Sequence, residues 1–203
     1  MGFSYPRRDN PADNSSIPSF CDPYLIIILF SFILLTQCQK EKDPNFILSS
    51  EQVGKLNKNA LARDLELIFA EDSLVMDTVK LDFGSGASKI KVFEKGGAHL
   101  LTLTPNADSI PTVQNVKIND PRYKTSNGIS VNSTFKDIKG KYKIKKIITS
   151  INNVVILLKD NDIYFTIDKT ELPASLRYSA NTNIEAVQIP DNAKIKYMMV
   201  GWD

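Results

Sequence analysis

One histidine and two cysteines in 203 residues leave a short inventory of groups able to attack, ligate or shuttle a proton. A Ser-His-Asp relay would have to run through His99, and no Gly-x-Ser-x-Gly turn is present to lift a serine above a sheet. One imidazole cannot build a multi-histidine metal site. His99 opens an alternating run, Ala98–Thr104, just after Gly96-Gly97, so it reads as a strand residue beside a hairpin turn. Gly84-Ser85-Gly86-Ala87-Ser88-Lys89 has the glycine content of a phosphate cradle, but such cradles feed a helix whose first amides take the phosphate. This one feeds the strand pattern Ile90–Phe93 and reads as an inter-strand loop. Asp160-Asn161-Asp162 lacks the glycine and the distal glutamate of a calcium loop and reads as a turn. Carboxylate pairs stay open to hydrolytic chemistry, yet no spacing singles one out. No catalytic residue, metal ligand or cofactor is assigned, and the chain reads as a non-enzyme. A small surface hydrolase using a carboxylate pair is the alternative from another class.

The most informative segment is Leu25–Gln39, an apolar run broken by Ser31 that ends at Leu35-Thr36-Gln37-Cys38 and gives way at once to Gln39-Lys40-Glu41-Lys42-Asp43. The run fits the roughly 7–15 residues of a secretory core and falls short of the ~20 of a spanning helix. Leu35–Cys38 resembles the lipobox of bacterial lipoproteins, in which the cysteine is lipidated and becomes the mature N-terminus. Residues 1–37 are then a signal peptide, and 38–48 hold the lipidated Cys38 and a polar linker. Met1–Tyr24 is long for a signal n-region and sets Arg7 and Arg8 against Asp9, Asp13 and Asp22, so a later start of translation is the alternative to a long leader. The polar tail resembles the short export signal that sends some Gram-negative lipoproteins to the outer face of the outer membrane. Expected residence is the outer membrane, lipid-anchored through Cys38, with surface exposure implied by that tail.

Removing 37 of the 203 residues leaves 166, enough for one or two small domains. Both thiols leave the inventory, Cys21 with the leader and Cys38 with its lipid, so stability rests on an apolar core. Losing Arg7 and Arg8 from 25 basic residues, and Asp9, Asp13 and Asp22 from 23 acidic ones, leaves a net charge of about +3. That does not argue for nucleic acid. The densest charge run, Lys136, Lys139, Lys141, Lys143, Lys145 and Lys146, reads as a solvated face, with contact to an acidic partner or anionic head groups as its functional version.

Internal repetition organises the remainder. Shifting by 73 brings Leu56, Asn59, Arg63, Asp64, Leu65 and Phe69 onto Ile129, Asn132, Lys136, Asp137, Ile138 and Tyr142; shifting by 64 brings Val92, Lys95, Leu101, Thr102 and Leu103 onto Ile156, Lys159, Phe165, Thr166 and Ile167; shifting by 79 brings Val116-Lys117-Ile118 onto Ile195-Lys196-Tyr197. By this alignment His99 corresponds to Ile163. Thr134-Phe135-Lys136-Asp137 is a capping box, followed by Ile138 and Tyr142 at helical spacing. Asn59 is the expected cap of the first copy, with Leu61, Leu65, Ile68 and Phe69 as its stripe. Strands are predicted at Val75–Phe83, Lys89–Glu94, Ala98–Thr104 and Val113–Ile118, then at Ile144–Ile151, Asn153–Leu158, Ile163–Asp168 and Lys194–Trp202. The expected fold is α+β: two copies of a short helix followed by about four antiparallel strands, at 49–120 and 121–203, with helices packed on one sheet face.

Ile129–Ile138, with Asn132 at the usual glycine, resembles the apolar-x-apolar-Gly-small-Thr-x-x-acidic-apolar signature of BamE-like outer-membrane lipoproteins and tandem-repeat β-lactamase-inhibitor proteins. The resemblance implies an envelope protein that works by binding other proteins. The copies differ by insertions around Leu81–Ser88 and Thr170–Val187, and insertions in repeat folds gather on binding faces. The second contains Leu172, Leu176, Arg177 and Tyr178, the candidate contact residues, since Arg and Tyr are enriched at interfaces. The sequence thus predicts a non-catalytic protein-binding or structural module with an envelope protein partner. A peptide- or glycan-binding lipoprotein is a third reading.

Overall fold

Alternation of apolar and polar residues becomes two sheets in the computed structural model, which describes residues 1–2, 43–77, 89–178 and 183–202. Cys38, the apolar run before it and the loop at 84–88 lie outside the described residues. The larger sheet contains β4 (Ser73–Asp77), β5 (Lys89–Phe93), β6 (His99–Pro105), β7 (Val113–Ile118), β9 (Ile144–Thr149), β10 (Asn153–Leu158), β11 (Ile163–Asp168) and β12 (Ile195–Gly201), numbered with the short strands β1–β3 and β8 described below. Its order is β4-β5-β6-β7-β12-β11-β10-β9, and every neighbouring pair is antiparallel. Each half is an up-and-down meander, and the halves meet at the β7–β12 seam, where Ile118 lies opposite Met198 and Val116 opposite Val200. The architecture is α+β and mostly sheet.

The tight connections follow from residue type. Gly96 and Gly97 adopt φ of 123° and 99° in the β5–β6 turn, and Asp160 takes φ 54° in the β10–β11 turn, a left-handed position Asp tolerates. Three helical turns of α type are described: α1 (Leu65–Ile68), α2 (Phe135–Lys141) and α3 (Ala174–Arg177). At the start of α2 the Thr134 amide and hydroxyl both donate to the Asp137 carboxylate, at 2.8 and 2.9 Å. Phe135 and Ile138 then share a buried face, and the Phe135 amide donates to the Ala193 carbonyl just ahead of β12. The core lies on one side of the large sheet, built from Val92, Leu101, Leu103 and Val116 in one half and Ile156, Phe165, Met198 and Val200 in the other.

A second sheet, order β3-β2-β1-β8, is made of two-residue strands: β1 (Ile47–Leu48), β2 (Gln52–Val53), β3 (Leu56–Asn57) and β8 (Lys124–Thr125). Pairing of β1 with β8 is parallel and draws the end of the expected linker into the fold. Leu48, Val53 and Leu56 are buried and join the common core. Trp202, just beyond β12, fastens this sheet to the large one: its indole N–H donates to the Ser50 carbonyl at 2.5 Å, while its amide donates to the Gln114 carbonyl at 2.7 Å.

Four expectations are corrected. Asn59 sits at φ 67°, a left-handed turn rather than a helix cap; the helical stretch opens instead with a 3₁₀ turn at Ala62–Asp64. The predicted strand Val75–Phe83 is described as Ser73–Asp77, its remainder falling at 78–83 outside the described residues. His99 does not correspond to Ile163. Pairing shifts between Val92 (opposite Leu101) and Phe93 (opposite His99), so Leu100 is an extra residue. Leu100 and Leu101 both turn into the core, and His99 stacks on Phe93 outside it, ring centroids 4.6 Å apart. The last strand is also out of register at a shift of 79, which matches core-facing Ile118 with Tyr197 on the opposite face. Burial repeats when Val113, Val116 and Ile118 fall on Ile195, Met198 and Val200, and each of these strands carries a pairing irregularity near its start.

Candidate functional site

Three places could bear function: a cleft beside the small sheet, the outer face of the large sheet, and the 169–189 connection.

The cleft, of about 330 Å³, lies between Phe46 and Lys55 of the small-sheet region, Glu94 at the end of β5, and Arg122-Tyr123 ahead of β8. Asp120 accepts from the Arg122 amide at 2.8 Å, an Asx-type turn that brings the guanidinium back over its own loop. That guanidinium donates to Asp120 through Nε and Nη2, at 3.0 and 2.9 Å, and to both Glu94 oxygens, at 2.9 and 2.8 Å. It also lies 4.4 Å from the centre of the Phe46 ring, which meets Tyr123 edge-on at 5.1 Å. Lys55 reaches Glu71 at 3.1 Å and Asp72 at 3.4 Å.

The electrostatics follow from this pairing. Hydrogen bonds from Arg122 hold Glu94 below the usual carboxylate range. Burial works to raise Asp120, but the Arg122 bonds outweigh it and its pKa falls. Burial, aided by Asp72 and Asp120, pushes the Tyr123 phenol upward. Proton donation by a carboxyl at neutral pH requires a raised pKa. Glu94 and Asp120 are shifted the other way, and Arg122 is already occupied by both. The cleft is a set of closed ion pairs. Among the described residues no group of three or more His, Cys, Asp or Glu side chains is placed to hold a metal ion.

The face of the large sheet opposite the core is different. Strand register sets Lys91, Thr102, Lys117, Met199, Tyr164, Leu157 and Lys146 directly opposite one another in a single row from β5 to β9. A second row runs Tyr197, Thr166, Val155, Ile148. Thr166 apart, these side chains are half-buried or exposed, and none belongs to the core cluster. Lys117 Nζ lies 3.9 Å from the Tyr197 ring centre, and Asn115 donates to the Tyr164 hydroxyl at 2.7 Å. Burial lowers the Lys117 pKa, and Lys89 and Lys196 lower it further. His99, at the same face, is held by Leu101, Thr102 and Asn119 at 3.1–3.2 Å around Nε2, and burial lowers its pKa.

Of the sequence-predicted site residues, the expected lipid anchor Cys38 lies outside the described residues. Leu172 is 1% exposed and belongs to the core, so it is withdrawn as a contact residue. It follows the 3₁₀ turn Lys169–Glu171, whose geometry points it inward. Leu176 packs against the core from α3, and the Arg177 Nε–H donates back to the Leu172 carbonyl at 2.7 Å. Tyr178 stands clear, 91% exposed, and Arg177 beside it is also exposed. The Lys run divides as well: Lys139 pairs with Asp191, while Lys145 falls at an irregularity in β9 and leaves Lys146 on the outer face.

Sequence reading missed Arg122, Glu94 and Asp120, which are separated along the chain and carry no motif. It also missed Lys117, Tyr164, Tyr197 and Met199. Their signal was present in strands whose polar-side positions hold apolar or aromatic residues, as in Asn-Val-Val-Ile-Leu-Leu and Ile-Tyr-Phe-Thr-Ile-Asp.

No protein-family model matches the chain, and no curated protein matches it. Among solved structures it is similar to the crystal structure of the uncharacterized protein yfeY from Escherichia coli, at 11% identity and a TM-score of 0.50, over 76% of this chain and 98% of that one. At that identity the likeness concerns the fold alone.

Proposed function

We propose that the chain is a lipid-anchored outer-membrane protein, held by Cys38, whose helix-plus-sheet unit is present in two copies and serves as a non-catalytic module for binding another envelope protein. The observation that carries the binding role is an eight-stranded sheet that the described residues cover on one side only, its other side continuous and half-exposed across every strand from β5 to β9. Exposed sheet of that extent, with aromatic and Met side chains in it, has the composition of an interface. Duplication draws support from the strand order, each half being a helical turn followed by a four-stranded meander, and from the shared burial pattern of β7 and β12. The absence of catalysis draws support from the cleft, where Glu94 and Asp120 are bonded to Arg122.

The test uses the full-length protein in its own membranes. Radiolabelled palmitate is expected on the wild type and absent from Cys38→Ser. Mild crosslinking is expected to yield a reproducible protein adduct missing from an untagged control. No label overturns the anchor, and no adduct overturns the binding role.

A further inference from the structure

The outer sheet face is divided by charge. Toward β5–β7 it carries Lys89, Lys91 and Lys117; toward β9–β12 it carries Met199, Tyr164, Leu157, Val155 and Ile148, with Lys146 at the β9 edge. Lys196 is held by Asp168 at 2.6 Å, whereas the charged groups acting on Lys117 are cations, Lys89 and Lys196. Lys117 is not a rim residue. Its strand is central, its side chain is half-buried, and its ammonium sits over the Tyr197 ring, 3.9 Å from the centre. A central, half-buried cation beside an apolar patch suits a carboxylate from whatever covers it, because covering a charge without a counter-charge is costly.

On this ground we propose that the outer face, centred on Lys117, Tyr197, Met199 and Tyr164, docks an acidic segment of a partner protein, with apolar side chains seated on the β10–β12 half and carboxylates on Lys117 and its lysine neighbours. The inference rests on the binding role proposed above and adds the surface and the chemistry of the partner. Size is compatible with it: the six inter-strand steps from β5 to β9, at about 4.8 Å each, by strands of about 17–20 Å give a footprint of roughly 500–600 Å², at the low end for one side of a standard interface of ~800 Å². A membrane surface fits less well, since cations that meet head groups reach outward from a rim, and Lys117 is half-buried on a central strand with its ammonium against the Tyr197 ring.

The experiment places a photo-crosslinking benzoylphenylalanine at position 199, and separately at 178, in the full-length protein in its own membranes. Adducts are read by mass spectrometry, in wild type and with Lys117→Glu or Lys117→Gln, each variant checked by its melting curve. The proposal expects an adduct from 199 to a protein segment rich in Asp and Glu, reduced about tenfold by Lys117→Glu, severalfold by Lys117→Gln, and by raised salt. If Lys117→Glu fails to fold, Lys117→Gln and the salt series decide. Adducts to phospholipid, adducts to a segment without excess acid, or yields within twofold of wild type in both variants overturn it. An adduct from 178 and none from 199 leaves the binding role standing and removes this surface; none from either removes both.

Discussion

Replacing Trp202 with phenylalanine tests the joint between the two sheets. The indole is 3% exposed and its N–H is the donor to the Ser50 carbonyl. Phenylalanine keeps a six-membered ring, loses that donor, and loses apolar surface worth about two methylenes. An orphaned carbonyl costs about 1–3 kcal/mol, and two methylenes at ~0.8 kcal/mol each add roughly 1.5. The expected loss is therefore about 3 kcal/mol, a fall in melting temperature of roughly 6–12 °C at ~2–4 °C per kcal/mol for a fold of this size. Trp202→Ala should lose about 4–5 kcal/mol. Urea unfolding followed by circular dichroism reads both variants, because the chain has one tryptophan and its emission vanishes with it. In the wild type that emission should be blue-shifted and should change in the same transition as the dichroism. A Trp202→Phe protein within ~0.5 kcal/mol of wild type, or a wild-type emission like that of indole in water, would refute the joint.

Other outcomes follow from named contacts. Gly54 holds φ +57°, and an added Cβ would sit 2.4 Å from the Asn45 carbonyl oxygen, so Gly54→Ala should lose more than about 1 kcal/mol, while Gly97→Ala, strained in φ but in open space, should lose less. Leu172→Ala should cost about 2–5 kcal/mol, and Tyr178→Ala should stay within ~0.5 kcal/mol of wild type; equal effects on the two would place Leu172 at the surface after all. Bonds from Lys196 and Thr170 hold Asp168 at about 2, below its unfolded value. Its contribution is thus present above the unfolded pKa and lost as pH falls toward about 2, and Asp168→Asn should flatten the acid limb of stability against pH, with no change near neutrality in slope.

Elements that announce themselves locally were legible in the sequence. The Gly96-Gly97 turn, the capping box at Thr134 and the alternation in β5, β7, β10 and β11 each depend on residues a few positions apart, and the structure places them as read. The small sheet was not legible, because strands of two residues have no period and gain their pairing from partners as distant as Lys124. The position of His99 was missed for a related reason. A single extra residue, Leu100, reverses which side of the sheet the following positions face, and apolar residues at both 100 and 101 satisfy either register.

The site was less legible than the fold, and the cause lies in how a sheet buries residues. A strand packed on one face should alternate, so Val155, Leu157 and Tyr164 would be read as extra core for a second layer. No described element covers them, and the cross-strand row that carries Leu157 and Tyr164 runs on through Met199 to Lys117, Thr102 and Lys91. An apolar stretch on the solvent side of β10–β12 costs solubility without adding to the core. Its continuation into lysines across a single register row sets an apolar patch beside a cationic one, the juxtaposition on which the proposed acidic partner rests. The segment Thr170–Val187, singled out from the sequence as an insertion in the expected repeat, spends Leu172 and Leu176 on packing and ties Arg177 to its own backbone. Departure from the expected repeat therefore marked a segment spent on packing, and departure from strand alternation marked the face that no described element covers.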